Sequence, residues 1–546
     1  MNRPNSLVSS SLALALLAVG CGGSAASSPS RMSQRPPPAS SASAQPSASV
    51  PRPDFRAKAP EAGASVRFVP PVIQEKRLSN GMRLLVVERH DLPIVSMRMA
   101  FLDGGGDSTP GLSGFVAAML PQGTSTRSAL QISDEVERLG GSLGAVVDYD
   151  ALYLGGSFLS DNLAEGMALM ADVALHPKFE KQEVERIRSR RLTAFTQQND
   201  SPQSLLYRAV LAELYPKGHP YSTTLLGTEE SLKSISPEDL GKRHRRLARP
   251  ERTVTILVGD VSMSRAVTEA EKALGSWRST SPAAMGASGA TGVTGATETR
   301  GGPAPGPMTT SPALDAEPPK DDGKAPGILV LDRPGATQSF VSVAFQGPPR
   351  SSPDYEAITL MNAILGGQFT SRLNLNLREK HAYTYGARSS LDWRSRPAPY
   401  TSGGAMVRDS TAPALQEIFS EMERMRSELV SAEELENAKR HIVLGLPADF
   451  ESTADISTAV IKLAVHGLPL DDWTKEASRF EGVTREDVLR VAKTHLPMEK
   501  ARVVIVGDAA AIRKGLETLP RGPVDVRQPP LPSARASATS APSTKR

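Results

Sequence analysis

The sequence predicts an α+β protein made of two homologous domains, on the strength of three observations. Two blocks of similar size, 70–277 and 327–515, remain once segments poor in large apolar residues are set aside. Each block begins with strand-like segments and continues with helical ones, a pattern typical of a sheet with segregated helices. Each block also ends on the same local pattern, a capped helix followed by a buried strand. The sequence therefore indicates that one domain was duplicated.

The repeated pattern at the end of the blocks has matched spacing. A helix start at 236–240 leads to a strand at 254–260, and a helix start at 484–488 leads to a strand at 503–508. Ser or Thr is placed to cap each helix, and each strand is a β-branched run that stops at Gly-Asp. The aspartates of helix and strand are 21 positions apart in both blocks, 239 to 260 and 487 to 508.

Strands are also predicted at the start of each block. In the first block, Arg83–Glu88 and 94–102 flank a proline-containing turn. In the second block, 328–331 and 339–345 flank a Pro-Gly turn. These runs are rich in apolar and β-branched residues, which favour strands. Helical stretches follow in the first block at 129–139, 161–175 and 181–198.

Composition excludes several classes of protein. The 546 residues include 63 Lys plus Arg against 59 Asp plus Glu, for a net charge of +4. These charges are scattered along the chain, whereas a nucleic-acid-binding surface requires clustered basic residues. The single cysteine excludes a disulfide framework, a Cys-rich zinc site and an iron–sulfur cluster.

Three segments are predicted to be disordered by composition. Residues 21–69 form a Ser-, Ala- and Pro-rich tether, 278–326 a linker without aromatic residues, and 516–546 a frayed tail. Such segments cannot bury enough apolar surface to offset the entropy that the chain loses on folding.

The first 20 residues are typical of a lipoprotein signal peptide. The apolar run at 12–19 is shorter than the roughly 20 residues that a permanent membrane span needs. It ends in Ala-Val-Gly-Cys, which resembles the lipobox of bacterial lipoproteins and implies acylation of Cys21. Gly22 stands where Asp would signal inner-membrane retention, so an outer-membrane lipoprotein facing the periplasm is expected. A plain secretory signal is the alternative.

Five segments of the two blocks resemble the pitrilysin/insulinase family of zinc metallopeptidases. They lie at 112–124, 139–143, 176–179, 219–221 (His-Pro-Tyr) and 377–380 (Leu-Arg-Glu-Lys). The resemblance implies two related α/β roll domains that face each other as a clam shell around a peptide chamber. Active members of that family carry His-x-x-Glu-His on the first helix and a further Glu ligand downstream in the same domain.

The zinc motif is degenerate in this sequence. The positions that match its two His and its Glu are Gly114, Ala118 and Ala117, and the downstream Glu falls at Ala194. None of these side chains can bind a metal or move a proton. No two of the eight histidines are three or four residues apart, so no helix presents a His pair. A metal site assembled from distant histidines remains as an alternative.

The second block retains a different motif of the family. Arg378 and Tyr385 match an Arg and Tyr pair that, in active members, reaches across the chamber to the zinc site of the other domain. The resemblance implies that the Arg holds a substrate carbonyl and the Tyr hydroxyl stabilises the oxyanion. Alternatively, they are an ordinary surface Arg and a strand aromatic. Gly144 replaces an Asn of the family on an edge strand that pairs with substrate, although backbone pairing needs no side chain.

These observations predict a catalytically silent subunit. It binds no cofactor of its own, supplies Arg378 and Tyr385 to half of a peptide chamber, and forms a heterodimer with a paralogue that holds zinc. Extended or unfolded peptides are the expected ligands. The first alternative is an envelope scaffold or peptide-binding lipoprotein, and the second is an independent metallopeptidase with a relocated metal site.

Overall fold

The computed structural model describes residues 69–102, 104–279 and 327–529. The predicted signal peptide 1–20, Cys21, the tether up to residue 68, nearly all of the linker and the tail beyond residue 529 lie outside the described residues. The described residues, from Val69 onward, form one compact unit.

The first domain contains six described strands and eight described helices. The strands are β1 (Gln74–Arg77), β2 (Arg83–Glu88), β3 (Ile94–Phe101), β4 (Ser142–Val147), β5 (Leu152–Leu159) and β6 (Thr253–Gly259). The helices are α1 (Leu112–Met119), α2 (Ala129–Arg138), α3 (Leu163–Leu175), α4 (Lys181–Asp200), α5 (Pro202–Leu214), α6 (Glu229–Ser234), α7 (Pro237–Leu247) and α8 (Met263–Leu274).

The second domain has the same inventory over its described residues. Its strands are β7 (Ile328–Asp332), β8 (Gln338–Gly347), β9 (Thr384–Leu391), β10 (Ala398–Val407), β11 (Arg502–Gly507) and β12 (Val524–Arg527). Its helices are α9 (Tyr355–Asn362), α10 (Arg372–Asn374), α11 (Thr411–Ser427), α12 (Ala432–Gly445), α13 (Thr453–His466), α14 (Trp473–Gly482), α15 (Arg485–His495) and α16 (Ala509–Leu516). Helices α9 and α10 continue into π-helical turns, Ala363–Gly367 and Leu375–Lys380. None of the described helices is both long and apolar enough to cross a lipid bilayer.

The two sheets share the order of five of their six strands, which confirms the α+β architecture with two homologous domains. The first sheet has the order β1-β2-β6-β3-β5-β4 and the second β12-β7-β11-β8-β10-β9. One pair is parallel in each sheet at the same position, β2 with β6 and β7 with β11, and the remaining shared pairs are antiparallel. Only the edge next to β2 and β7 differs, because β1 precedes β2 in the chain whereas β12 follows β11.

The repeated ends of the two blocks form as the sequence predicts. Ser236 and Thr484 begin α7 and α15 with capping boxes that are completed by Asp239 and Asp487. These boxes satisfy amide groups that the first turn of a helix leaves without partners. The strands that follow, β6 and β11, lie at the same position in their sheets, next to β2 and β7.

The second domain extends beyond residue 515, so the predicted tail 516–546 begins too early. Val524–Arg527 pairs in parallel with β7 and forms the edge of the second sheet. Val524 and Val526 pack against the second core, which holds this strand in place. The alternating Val-Asp-Val-Arg pattern is only four residues long and is followed by a Pro-rich sequence. Composition averaged over the whole tail therefore concealed a short strand.

One face of each sheet packs against helices of its own domain. The other face is covered by a helix from the other domain. Helix α13 packs Ile456, Val460 and Ile461 on the outer face of the first sheet. Helix α5 packs Leu205 and Val210 on the corresponding face of the second sheet. Each fully buried side chain of this kind contributes about 1.5–3 kcal/mol. The domains cannot separate without exposing two apolar sheet faces, so the fold joins them into one unit.

Candidate functional site

Helix α1 carries the three positions that match the zinc motif. Ala117 is 3% exposed and belongs to the core of the first domain, and Ala118 is partly buried beside that core. Both present only methyl groups, which cannot bind a cation or accept a proton. The helix starts after Gly111, whose φ of 80° places it in the left-handed region that favours glycine.

Gly114, the position of the first motif histidine, has no space for a side chain. A Cβ atom added there would lie 2.4 Å from the carbonyl oxygen of Leu225 and 2.9 Å from Nη2 of Arg191. The first of these neighbours is backbone, which cannot turn aside as a flexible side chain can. A histidine at residue 114 is therefore excluded while the segment around Leu225 stays in place.

The guanidinium of Arg191, on α4, fills the space beside Gly114. Its Nη1 donates to the carbonyl of Gly114 at 3.0 Å, and its Nη2 donates to the carbonyls of Leu225 and Leu226 at 3.2 and 3.1 Å. Burial lowers the pKa of Arg191 to about 10, so the group remains charged at neutral pH. No carboxylate of the described residues forms an ion pair with it; backbone carbonyl dipoles surround the charge instead.

The downstream position is also unsuited to a metal. Ala194 lies one turn after Arg191 on α4 and is partly buried. Within the described ranges, no group of three His, Cys, Asp or Glu side chains is arranged to hold a metal ion. The donor set that the family's zinc requires is missing, and the guanidinium of Arg191 lies beside Gly114, the position of the first motif histidine. The residues of this chain therefore do not fit zinc at this site.

Arg378 and Tyr385 lie in neighbouring elements of the second domain, at the edge of its sheet. Arg378 belongs to the π-helical turn after α10, and Tyr385 lies near the start of β9, the edge strand. The side chain of Arg378 is 36% exposed and Tyr385 is 88% exposed. The Arg378 guanidinium lies 4.5 Å from the centre of the Phe369 ring, which is itself 65% exposed.

A backbone turn and a buried side-chain amide position this pair. Ala382 adopts a φ of 54° and reverses the chain, while its N–H donates to the carbonyl of Arg378 at 3.2 Å. Asn374, which is 4% exposed, donates to the carbonyl of Phe369 and accepts from the N–H of Ala387. The turn and this side-chain amide hold Phe369, Arg378 and the start of β9 in one patch. Phe369 was not predicted from the sequence, where its only signal is its position after a Gly-Gly-Gln run.

Gly144 lies on β4, the edge strand of the first sheet, which pairs only with β5 among the described strands. A Cβ atom added at Gly144 would meet no atom within 4 Å. Both the backbone edge and the space above residue 144 are therefore open. The zinc-motif positions and Gly144 lie in the first domain, and Arg378 and Tyr385 in the second.

A second group of polar residues joins the two domains and was not identified from the sequence. Arg394, between β9 and β10, has a side chain only 3% exposed. Its guanidinium stacks 3.6 Å from the ring centre of Tyr149 and donates to the hydroxyl of Tyr207 at 3.1 Å. Arg394 also forms an ion pair with Asp392. Because both tyrosines come from the first domain, these contacts hold the domains together.

Asp150, in the turn between β4 and β5, completes this interdomain contact. It accepts a hydrogen bond from the N–H of Ser395 at 3.0 Å. Burial, with the nearby Asp148 carboxylate, raises the pKa of Asp150 to about 6, although Arg394 opposes the shift. The contact between the domains therefore contains a carboxyl group that titrates close to neutral pH.

The sequence and the fold are both similar to those of known proteins. The profile of the Insulinase (Peptidase family M16) domain matches residues 106–229, and that of the Peptidase M16 inactive domain matches residues 234–442. A crystal structure of a peptidase M16 inactive domain from Pseudomonas fluorescens is 25% identical, with a TM-score of 0.68 over 80% of this chain and 98% of that one. The chain belongs to peptidase family M16, which confirms the resemblance seen in the sequence.

The similar proteins include relatives with contrasting names. The chain is 23% identical to the uncharacterized zinc protease YmxG of Bacillus subtilis, over 70% of this chain and 85% of the relative. It is 22% identical to the non-peptidase homolog YmxG of Helicobacter pylori, over 77% of this chain and 90% of the relative. A protease structure from Helicobacter pylori, 19% identical with a TM-score of 0.67, has the same fold.

Proposed function

We propose that this chain is a catalytically silent subunit of an M16-type zinc peptidase. The single observation that carries the proposal is the lack of space at Gly114, where a histidine of the zinc motif would stand. A chain with this helix has no means of activating water at that position. The Arg378 guanidinium pairs through Nε with Glu379 at 3.3 Å, and its exposed remainder and the exposed Tyr385 hydroxyl can reach a peptide bound beside them.

In the proposed mechanism the chain orients the substrate while a partner chain performs the hydrolysis. The guanidinium of Arg378 donates to a peptide carbonyl, and the Phe369 ring below it limits the orientations that it can adopt. The Tyr385 hydroxyl donates to the oxyanion that develops at the attacked carbonyl. Donors aimed at a developing oxyanion are among the largest contributions to catalysis. Zinc and the general base belong to the partner.

A zinc-bearing paralogue is the proposed partner, in a heterodimer. The family resemblance implies two-chain peptidases in which one chain holds zinc and the other supplies the Arg and Tyr pair. The matched profile named an inactive domain, and the relative named a non-peptidase homolog, support a silent role for this chain. The open edge of β4 supports binding of an extended peptide by strand addition.

The proposed location is the periplasmic face of the outer membrane, with the chain anchored through acylated Cys21. The proposed substrates are unfolded or extended peptides, which a peptide chamber at this location would encounter in the periplasm. A second candidate is an envelope lipoprotein that binds peptides without a peptidase partner. The open β4 edge favours it equally, because strand addition needs no catalytic group.

Isolation of the chain from native membranes, followed by zinc and peptide-cleavage assays, tests the proposal. We expect the purified chain alone to leave unfolded peptides intact and the complex with a zinc-bearing paralogue to cleave them. In that complex Tyr385→Phe should lower kcat by about 10²-fold, the effect of losing one oxyanion donor. Arg378→Ala should mainly raise KM.

Arg388→Ala is the matched control, because Arg388 is an exposed arginine on the same strand as Tyr385. Its complex should cleave peptides at the unaltered rate. Peptide capture without any zinc-bearing chain in the isolate would favour the scaffold function. Unchanged kinetics in both the Tyr385 and the Arg378 variants would refute the proposed role of the pair.

A further inference from the structure

Helix α1 and the segment 222–227 approach each other unusually closely beside the degenerate motif. Three glycines line the contact. A Cβ atom at Gly111 would lie 2.5 Å from the Leu226 carbonyl oxygen, and one at Gly114 would lie 2.4 Å from that of Leu225. A Cβ atom at Gly227 would lie 2.6 Å from the carbonyl oxygen of Pro110. Contacts under 3.0 Å are not tolerated, so only glycine permits the segment to lie against the helix.

Arg191 spans this glycine-lined contact from a third element, α4. Its guanidinium donates to the Gly114 carbonyl on α1 and to the Leu225 and Leu226 carbonyls on the segment. The Gly111 carbonyl lies 3.5 Å from Nη2. One planar cation thus collects carbonyl oxygens from two chain segments, as a bound metal ion would collect ligands.

The charge of Arg191 is held without a compensating carboxylate in the described part of the chain. Its Nε is buried and has no hydrogen-bond partner, and its guanidinium lies 5.5 Å from the centre of the Phe115 ring. Burial of the Arg191 guanidinium costs desolvation energy. The carbonyl dipoles and the Phe115 ring offset this cost only while segment 222–227 stays against α1.

We propose that Arg191 is an internal cation that replaces the family's metal and locks segment 222–227 over the former zinc site. Two causes then prevent metal binding at this site: the ligands are missing, and the locked segment occupies the space. Restoring the ligands alone would leave no space for the first histidine. The locked segment also contacts the turn that follows β4, because the hydroxyl of Tyr149 donates to the Thr223 carbonyl at 2.8 Å. This inference does not depend on a partner chain.

Zinc binding by restored variants of the full chain tests the lock. One variant carries Gly114→His, Ala117→Glu, Ala118→His and Ala194→Glu, and a second variant adds Arg191→Ala. After dialysis against zinc sulfate and then metal-free buffer, bound zinc is measured by mass spectrometry. We expect loss of essentially all zinc from the first variant and retention of one ion by the second.

Both variants must match the native circular dichroism spectrum before their zinc content is compared. Equal zinc in the two variants, whether one ion or none, would overturn the proposed role of Arg191. Retention of zinc by the first variant alone would overturn it as well.

A second measurement covers the case in which the restored variants do not fold. Arg191→Met in the otherwise native chain removes only the lock. We expect faster hydrogen exchange at the amides of 222–227 and of the first turn of α1, with other segments unchanged. Arg190→Met, at the exposed neighbouring arginine, is the control and should leave exchange as in the native chain. Native exchange rates in the Arg191 variant would overturn the inference.

Discussion

Ala382 carries local backbone strain beside the proposed substrate-binding pair. Among the described residues it is the only one other than glycine with a positive φ, at 54°. The left-handed conformation brings the Cβ atom of an L-residue close to the following carbonyl and costs roughly 1–2 kcal/mol. The strain is kept where the turn returns the chain from Arg378 to β9. A rigid turn at this point fixes how far apart Arg378 and Tyr385 lie.

Ala382→Gly should stabilise the fold by about 1 kcal/mol, because glycine adopts the left-handed conformation without this cost. Urea unfolding followed by circular dichroism measures the change. Ala432→Gly, at an exposed helical alanine of α12, is the control and should destabilise by up to about 1 kcal/mol. A loss of stability in the Ala382 variant would show that the turn is not strained.

At the scale of elements, the edge strand β12 distinguishes the second sheet from the first. It contributes Val524 and Val526 to the core and pairs in parallel with β7. The N–H of Ile328 also donates to the carbonyl of Pro523 at 3.0 Å. A strand that comes from the end of the domain thus takes the edge position that β1 occupies in the first sheet.

A chain ending after residue 521 should lose about 2–3 kcal/mol of unfolding free energy, from two partly buried valines and the ladder hydrogen bonds. The control is a chain ending after residue 529, which keeps β12 and should match the full chain. Thermal and urea unfolding of the two truncated chains measure the difference. Equal stabilities would mean that β12 contributes nothing to the second domain.

At the scale of the whole molecule, exchanged helices and the Arg394 contact join the domains. The helices supply the apolar part of the interface, because α5 and α13 each bury a stripe on the opposite sheet. The polar part contains Asp150, whose neighbours are the carboxylate of Asp148, the guanidinium of Arg394, and the hydroxyl of Tyr221 at 3.5 Å. Burial in this setting makes the ionised form of Asp150 costly.

Because the folded-state pKa of Asp150 is raised from 3.8 to about 6, folding favours its protonated form. This contribution to stability is fully present below about pH 4 and is lost as the pH rises through 6. Asp150→Asn should therefore stabilise the chain at pH 7.5, by at most about 3 kcal/mol, and have little effect at pH 4.

Urea unfolding of native and variant chains between pH 4 and 8 measures this difference at each pH. Asp161→Asn, at an exposed aspartate, is the control and should give a small difference that does not change over that range. A constant difference for Asp150→Asn as well would contradict the assigned titration.

Much of the architecture could be read from local patterns. The predicted strand 328–331 became β7 (Ile328–Asp332), and the predicted helix 181–198 became α4 (Lys181–Asp200). Capping residues and β-branched runs act over a few positions, so a single sequence suffices to find them. The segment β12 was missed because its short pattern lies within a Pro-rich stretch.

The sequence by itself determined the duplication, the family resemblance and the absence of zinc-binding side chains at residues 114, 117, 118 and 194. Those conclusions depend on which side chains are present and on their spacing. Only the tertiary structure decided that Arg191 and the 222–227 segment lie against Gly114, and that α5 and α13 cover each other's sheets. These arrangements arise from contacts between residues far apart in the chain, which spacing and composition do not specify.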